Sequence, residues 1–283
     1  MEPKVFVVGE PETGKSNYLG RCWLAIDSGR SALKLDGLPE DMEAVRVLAQ
    51  NLLAGRYSPH TNRGSTTELK LNVSYRNSDE KIGTLTLPDF SGEDCELIIT
   101  KRRWSAEWEQ AVLGATGILV FVRGENINPC LDWCEAQTLG VGKLVDGNES
   151  EVTFPSDVVL VELLQMICEA RGLRSARTRV NLGIVVSCWD ALPADMQRTL
   201  PSKYISENLK LLDQFLAANQ DLFNIKFFGL SSTGGDLLDN AYRAKYLADP
   251  RSAGYIVLSG ANQQLERGLD VTIPIKWVLT EGR

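Results

Sequence analysis

The chain has 283 residues, 43% of them apolar and 24% charged, with a formal charge of −7. That is enough for one large α/β domain, or for one domain with sizeable insertions, and the acidic balance argues against nucleic acid as a main partner. No window of about eighteen residues is apolar throughout, and Met1-Glu2-Pro3 leads straight into an apolar run, so neither a membrane span nor a signal peptide is expected and the chain reads as cytoplasmic.

In chain order, Val5–Val8 is a short β-branched run that predicts a buried strand. The loop after it, "GEPETGKS", fits G-x-x-x-x-G-K-[ST] with Gly9, Gly14, Lys15 and Ser16, and a helix-compatible stretch follows from Asn17 to Ala25. Such a loop wraps backbone N–H groups around the α- and β-phosphates, aims a lysine at the β- and γ-phosphates and gives a hydroxyl to Mg²⁺. A chance glycine-rich turn is the alternative, and the strand before and helix after count against it. Pro39, with Met42, Val45, Leu48 and Leu52 at helical spacing and Gly55 as terminator, predicts an inserted helix. Thr67–Tyr75 and Ile82–Leu87 read as a hairpin around a polar turn at 77–79.

Ile118–Val122 and Leu182–Val186 are continuous apolar runs, the mark of buried parallel strands. Between them lie a Gly/Asn/Ser-rich stretch, 140–156, read as a surface loop, and a helix over about Asp157–Ala170. A helix over Tyr204–Ala217 and a strand over Ile225–Leu230 follow, then two edge strands, Tyr255–Leu258 and Val271–Leu279. Strands alternating with helices imply a mostly parallel sheet covered on both faces.

A bound triphosphate calls for a carboxylate and a γ-phosphate contact at a neighbouring strand end. "LPDFSGED" offers Asp89, for Mg²⁺ through water, and the backbone of Gly92 in the spacing D-x-x-G. Taken alone that tetrapeptide is also an ordinary turn. Ahead of the hairpin, Thr66 offers a further hydroxyl to the metal, and Arg63 is placed to reach the transferring phosphoryl group; an exposed loop arginine is otherwise a solvated charge. His60, the one histidine, excludes metal sites and catalytic triads built on a second one. The six cysteines, Cys22, Cys95, Cys130, Cys134, Cys168 and Cys188, show no paired metal spacing and suit reduced thiols. Lys101-Arg102-Arg103-Trp104 is either a surface for an acidic partner or a solvated helix face, and Arg171, Arg174, Arg177 and Arg179 suit a helix C-terminus.

Beyond the later strands stand "SCWD", Ser187 to Asp190, and "SST", Ser231 to Thr233. They line up with the guanine-reading N-K-x-D and S-A-x elements of translation-factor-related GTPases. A carboxylate at Asp190 accepts from guanine N1–H and N2–H₂, a donor pair that adenine lacks. The ordered set GEPETGKS, a switch threonine, DFSG, SCWD and SST resembles the Ras-like class of P-loop GTPases over nearly the whole chain. The helix before the first switch, the insertion after Val122 and the "TIPIKWVL" segment are similar to the bacterial double-GTPase domain family.

That resemblance implies a Ras-like G domain: an α/β fold with a mostly parallel central sheet, one antiparallel strand and helices on both faces. It implies a single GTPase-like unit over 1–283, with insertions at about 30–57 and 124–156 and an extended part at 234–283. It further implies GTP or GDP with Mg²⁺, a molecular switch with protein partners at its two switch loops, and a place in multi-component bacterial systems of defence against phage. Residue by residue, Glu12, Thr13, Gly14, Lys15, Ser16 and Asn17 would hold phosphates, and Gly92 the γ-phosphate. Ser16, Thr66 and Asp89 would serve Mg²⁺, and Asp190, Ser231 and Ser232 the guanine. Lys15, Arg63 and Glu93 would act in hydrolysis. Two departures stand out. Ser187 and Cys188 replace an asparagine that ties this loop to the phosphate loop and a lysine whose stem covers the base, with Trp189 or Cys188 left to supply apolar cover. Glu93 stands where fast hydrolases carry glutamine, and a carboxylate beside phosphate predicts slow intrinsic turnover, or a nucleotide-binding scaffold with little turnover. An ATP-using P-loop enzyme is the remaining alternative.

Overall fold

Every residue of the first strand, β1 (Val5–Gly9), is buried: Phe6 and Val8 belong to one apolar cluster, Val5 and Val7 to another. A strand apolar on both faces needs cover on both, and parallel pairing supplies neighbours whose crossovers provide it. The computed structural model describes residues 3–39, 42–59, 67–77, 81–89, 91–125, 127–129, 154–176 and 179–280. Within them β1 pairs in parallel with β5 (Gly117–Arg123), β5 with β6 (Val180–Ser187) and β6 with β7 (Phe223–Ser231). Beyond β7 the sheet continues antiparallel through β8 (Tyr255–Ser259) and β9 (Leu265–Gly268). On the other side, β2 (Leu33–Leu35), β3 (Thr67–Tyr75) and β4 (Lys81–Asp89) form an antiparallel trio. Among the described residues the trio adjoins the larger sheet through a parallel bridge just ahead of β1, Lys4 to Thr86.

The face of Val5 and Val7 is covered by α1 (Lys15–Asp27), α2 (Met42–Leu53) and α9 (Ile273–Thr280). The face of Phe6 and Val8 is covered by α3 (Gly92–Lys101), α4 (Ala106–Gly114), α5 (Ser156–Ala170), α6 (Pro201–Asn208) and α7 (Lys210–Ala218). A last helix, α8 (Asn240–Ala248), lies between β7 and β8 in sequence. This is the expected α/β G-domain architecture, with more antiparallel pairing than the one strand expected.

Two expected elements differ. Val271–Leu279, read as an edge strand, holds α9 instead. Asp270 accepts from the Thr272 N–H at 2.9 Å and from its hydroxyl at 2.6 Å, capping the turn, and Pro274 sits in the first turn, where its missing N–H costs nothing. Ile275, Val278 and Leu279 then fall on one buried face. The single helix expected over 204–217 is two, broken at Leu209 (φ −132°, ψ 66°). Buried Asp157 of α5 accepts from the N–H groups of Leu211 at 3.3 Å and Leu212 at 2.9 Å, which gives α7 its own start. The stretch 140–156 falls mostly on residues outside those described, but its roots meet: Ser156 N–H donates to the Asn128 carbonyl at 3.0 Å.

Candidate nucleotide site

Between Gly9, which ends β1, and Lys15, which opens α1, the chain turns through left-handed backbone at Glu12 (φ 57°) and Gly14 (φ 77°). A side chain at Gly14 would meet nothing within 4 Å, so the dihedral angle and not lack of room asks for glycine there. Turns of this kind aim successive N–H groups into one concavity, and the first N–H groups of a helix point along its axis. Lys15 is 7% exposed, and its ammonium donates to the carbonyls of Gly9 at 2.9 Å and Glu10 at 2.8 Å and to the Thr13 hydroxyl at 3.2 Å. The lysine charge is thereby held at the mouth of the loop.

The ends of β6 and β7 build the opposite wall. Trp189 is 1% exposed and lies against the β7 backbone, so close that a Cβ on Gly229 would sit 2.6 Å from its ring. Its indole N–H donates to the Gln197 carbonyl at 3.3 Å, and the Gln197 amide in turn donates to the Asp190 carbonyl at 3.0 Å. Trp189 is therefore a core residue that anchors the turn, and of the two expected covers only Cys188 lines the cavity. Burial pushes the Asp190 carboxyl above its ordinary value; a hydrogen bond with the Ser231 side chain works against this, and the charges of Glu125 and Asp236 add to it.

Both walls enclose one cavity of about 610 Å³, within the span of small-molecule sites. Glu12, Thr13, Gly14, Lys15, Ser16 and Asn17 line it together with Asp190 and Ser232, residues from opposite ends of the sequence. Ser231 is fully buried behind the wall, its hydroxyl accepting from the Gly234 N–H at 2.7 Å. Asp89 closes β4 and Gly92 opens α3, with Ser91 between them on the cavity wall. The side chains of Asp89 and Glu93, and all of His60, Arg63 and Thr66, lie outside the described residues, as do Cys130 and Cys134. Asn17 accepts from the Ser58 N–H at 2.8 Å, which fixes where the chain leaves toward Arg63.

Three contributors escaped the sequence reading. Arg21, 1% exposed in α1, donates to the carbonyls of Ser232 and Pro250 and to the Tyr246 hydroxyl, each at 2.6 Å. An arginine amid the apolar Tyr18, Leu19, Cys22 and Trp23 was the available signal. Tyr57 donates to the Asp236 carboxylate and accepts from the Leu237 N–H, both at 3.1 Å, and burial pushes its hydroxyl up to about 12. The third, Arg123, ends β5 and reaches the phosphate loop.

Other candidates have structural employment. Arg102 pairs with Glu162 at 3.3 Å and Trp104 stacks on Trp108. Arg171 donates to the carbonyls of Val112 at 2.9 Å and Ala115 at 2.7 Å, capping the C-terminus of α4 and not of its own helix. Cys22, Cys95 and Cys168 are buried and in no disulfide, and burial raises Cys168 to about 11, which keeps it unreactive. Among the described residues no group of three or more His, Cys, Asp or Glu is placed to hold a metal, and no helix is long and apolar enough to cross a membrane.

No curated protein matches the chain. Among solved structures, a bacterial selenocysteine-specific elongation factor is similar over 88% of this chain and 29% of its own, at 12% identity and a TM-score of 0.38. The signal recognition particle receptor SRb-GTP/SRX complex from Chaetomium thermophilum is similar over 87% of this chain and 97% of its own, at 13% identity and a TM-score of 0.42. The S. cerevisiae Ski7 GTPase-like domain bound to GTP covers 81% of this chain and 42% of its own, at 14% identity and a TM-score of 0.39. The chain thus spans less than a third of the elongation factor and less than half of Ski7. The Double-GTPase 1 family matches residues 6–278, a span that runs from within β1 into α9 and takes in both walls of the cavity, and the chain belongs to that family.

Proposed function

We propose that this chain is a single GTPase domain that binds GTP and GDP with Mg²⁺, hydrolyses GTP slowly, and works as a molecular switch. Membership in a GTPase family supports GTP binding and hydrolysis. The observation that carries the reading is the cavity itself, where a phosphate loop faces a recessed carboxylate, Asp190, across about 610 Å³. In this reading the N–H groups of 12–17 and Lys15 hold the phosphates, Asp190 takes the guanine N1–H and N2–H₂, and the backbone of Ser231 and Ser232 meets O6. Ser16, Thr66 and Asp89 supply oxygen donors of the kind that Mg²⁺ takes. Arg63 would stabilise charge on the transferring phosphoryl group, offsetting the glutamine that Glu93 replaces. Segments 58–67 and 89–105 are the switch loops, to be read by protein partners, and a bacterial defence system is the setting that the family resemblance implies.

Titration decides the first part: GTP and GDP should bind at least about tenfold more tightly than ATP and ADP, about 1.4 kcal/mol. Equal affinities would remove the guanine assignment and leave the phosphate loop standing. Phosphate release from GTP should be faster in the parent than in Lys15→Ala. Tight GTP binding without release above that variant would favour the scaffold, a reading that Glu93 recommends.

A further inference from the structure

Arg123 ends β5 in register with Ser187, the residue that opens the base-side turn on β6. Its guanidinium crosses to the other wall of the cavity, where Nη1 donates to the Glu12 carbonyl at 3.1 Å and meets the Glu12 carboxylate at 3.4 Å. Nη2 pairs with Glu125 at 2.9 Å. The side chain is 28% exposed, and Arg123, Glu12 and Glu125 all line the cavity. We propose that Arg123 is a positioning residue for nucleotide binding, the tie that holds the phosphate loop in register with the base-reading turn. The proposal rests on the nucleotide reading above and names the group that joins its two halves.

The peptide plane explains what the tie does. In a planar trans peptide the C=O of one residue and the N–H of the next point in opposite directions. A donor that holds the Glu12 carbonyl against the β5 wall therefore sets the direction of the Thr13 N–H, which belongs to the phosphate loop. Glu12 is also the non-glycine residue of that loop in left-handed backbone, a conformation that persists only where surrounding contacts impose it. The two residues nearest on the base side do not make this contact. The Ser187 hydroxyl is spent on the Val122 carbonyl at 3.2 Å, and burial pushes the Cys188 thiol up, so it stays neutral beside the guanidinium. The arginine thus performs from β5 the joining that those positions of the turn leave undone, with Glu12 and Glu125 fixing its fork from two sides.

Calorimetric titration with GDP and stopped-flow GDP release test this on four proteins: the parent, Arg123→Ala, Arg123→Lys, and Arg123→Ala combined with Cys188→Lys. We expect Arg123→Ala to weaken GDP by at least about tenfold, mainly through faster release, and Arg123→Lys to keep most of the affinity, since one cation still reaches the Glu12 carbonyl. The double variant should recover a substantial share, because a lysine at 188 approaches the same carbonyl from the neighbouring wall. A purely structural arginine would give no such recovery. GDP affinity within about twofold of the parent in Arg123→Ala, or an equal loss in all three variants, overturns the proposal. Should Arg123→Ala not fold, Arg123→Gln carries the same comparison. A parent that binds phosphate-bearing nucleotides but no guanine preferentially removes the base assignment while the Arg123→Ala loss stands, so the two failures are told apart.

Discussion

Asp190 combines two demands that oppose each other. In the proposed guanine site its carboxylate would have to be ionised to accept two hydrogen bonds from the base, yet burial and the nearby charges of Glu125 and Asp236 favour the protonated form. A carboxyl whose folded value lies above its unfolded one binds its proton more tightly in the folded state, so it lowers stability at neutral pH, and that loss is recovered as pH falls through the folded value. Asp190→Asn removes the charge and keeps the shape, and the nucleotide-free variant should melt at a higher temperature than the parent at neutral pH. It should also exchange guanine for xanthine preference, because the asparagine amide donates where xanthine carries a C2 carbonyl. Unchanged base preference would place the base elsewhere. For the parent, GDP affinity should fall as pH is lowered into the range where the free carboxyl protonates, which burial moves above the ordinary carboxylate range, and the slope should flatten in Asp190→Asn; a pH series of titrations checks it.

At the scale of elements, a single buried carboxylate decides how the chain after β6 folds back. Asp157 in the first turn of α5 accepts from the Leu211 and Leu212 N–H groups, so α7 begins where α5 lets it and Leu212 and Leu216 enter the core. Removing it leaves those donors buried without that acceptor; Asp157→Ala should cost about 1–2 kcal/mol in urea unfolding, and Asp157→Asn less. The α9 helix has a comparable local cause in Asp270, and its Val278 packs so tightly that a Cβ on Gly117 would come within 2.5 Å of it. Near the site, the roots of the 130–153 segment are joined to the phosphate loop, since the Ser156 hydroxyl donates to Glu10 at 3.2 Å.

For the molecule as a whole, the cavity spans the central sheet, with β1 and α1 on one side and the ends of β6 and β7 on the other. A ligand held by both walls stabilises everything between them: at a hundredfold excess over Kd it adds about 2.7 kcal/mol, several degrees in melting temperature for a chain of this size. Thermal melts should show that shift with GDP and Mg²⁺ and little with ADP at the same concentration. Arg21 strengthens the link between the walls, since it joins α1 to the Ser232 carbonyl. Arg21→Met should therefore lower both the melting temperature and the GDP-induced shift, whereas loss of stability with an undiminished shift would make Arg21 a core residue only.

Sequence by itself determined the parts whose signal is local. The phosphate loop was legible because strand, glycine turn, lysine and helix start are contiguous, and the parallel strands because continuous apolar runs need cover on both faces. Asp190 and Ser232 were legible as strand ends in the right order. What only the tertiary structure decided were the contacts between distant segments. Trp189 reads as a possible base cover until Gly229 is seen to leave room for its ring against β7. Val271–Leu279 has the β-branched content of a strand, and the Asp270 cap with packing against Gly117 makes it a helix. Arg21 and Arg123 are ordinary charges along the chain, and they gain their roles because their partners, Ser232 and Glu12, lie 211 and 111 residues away. Periodicity and capping are properties of neighbouring residues, whereas a guanidinium's choice of carbonyl is settled only when the sheet has brought both to the same edge.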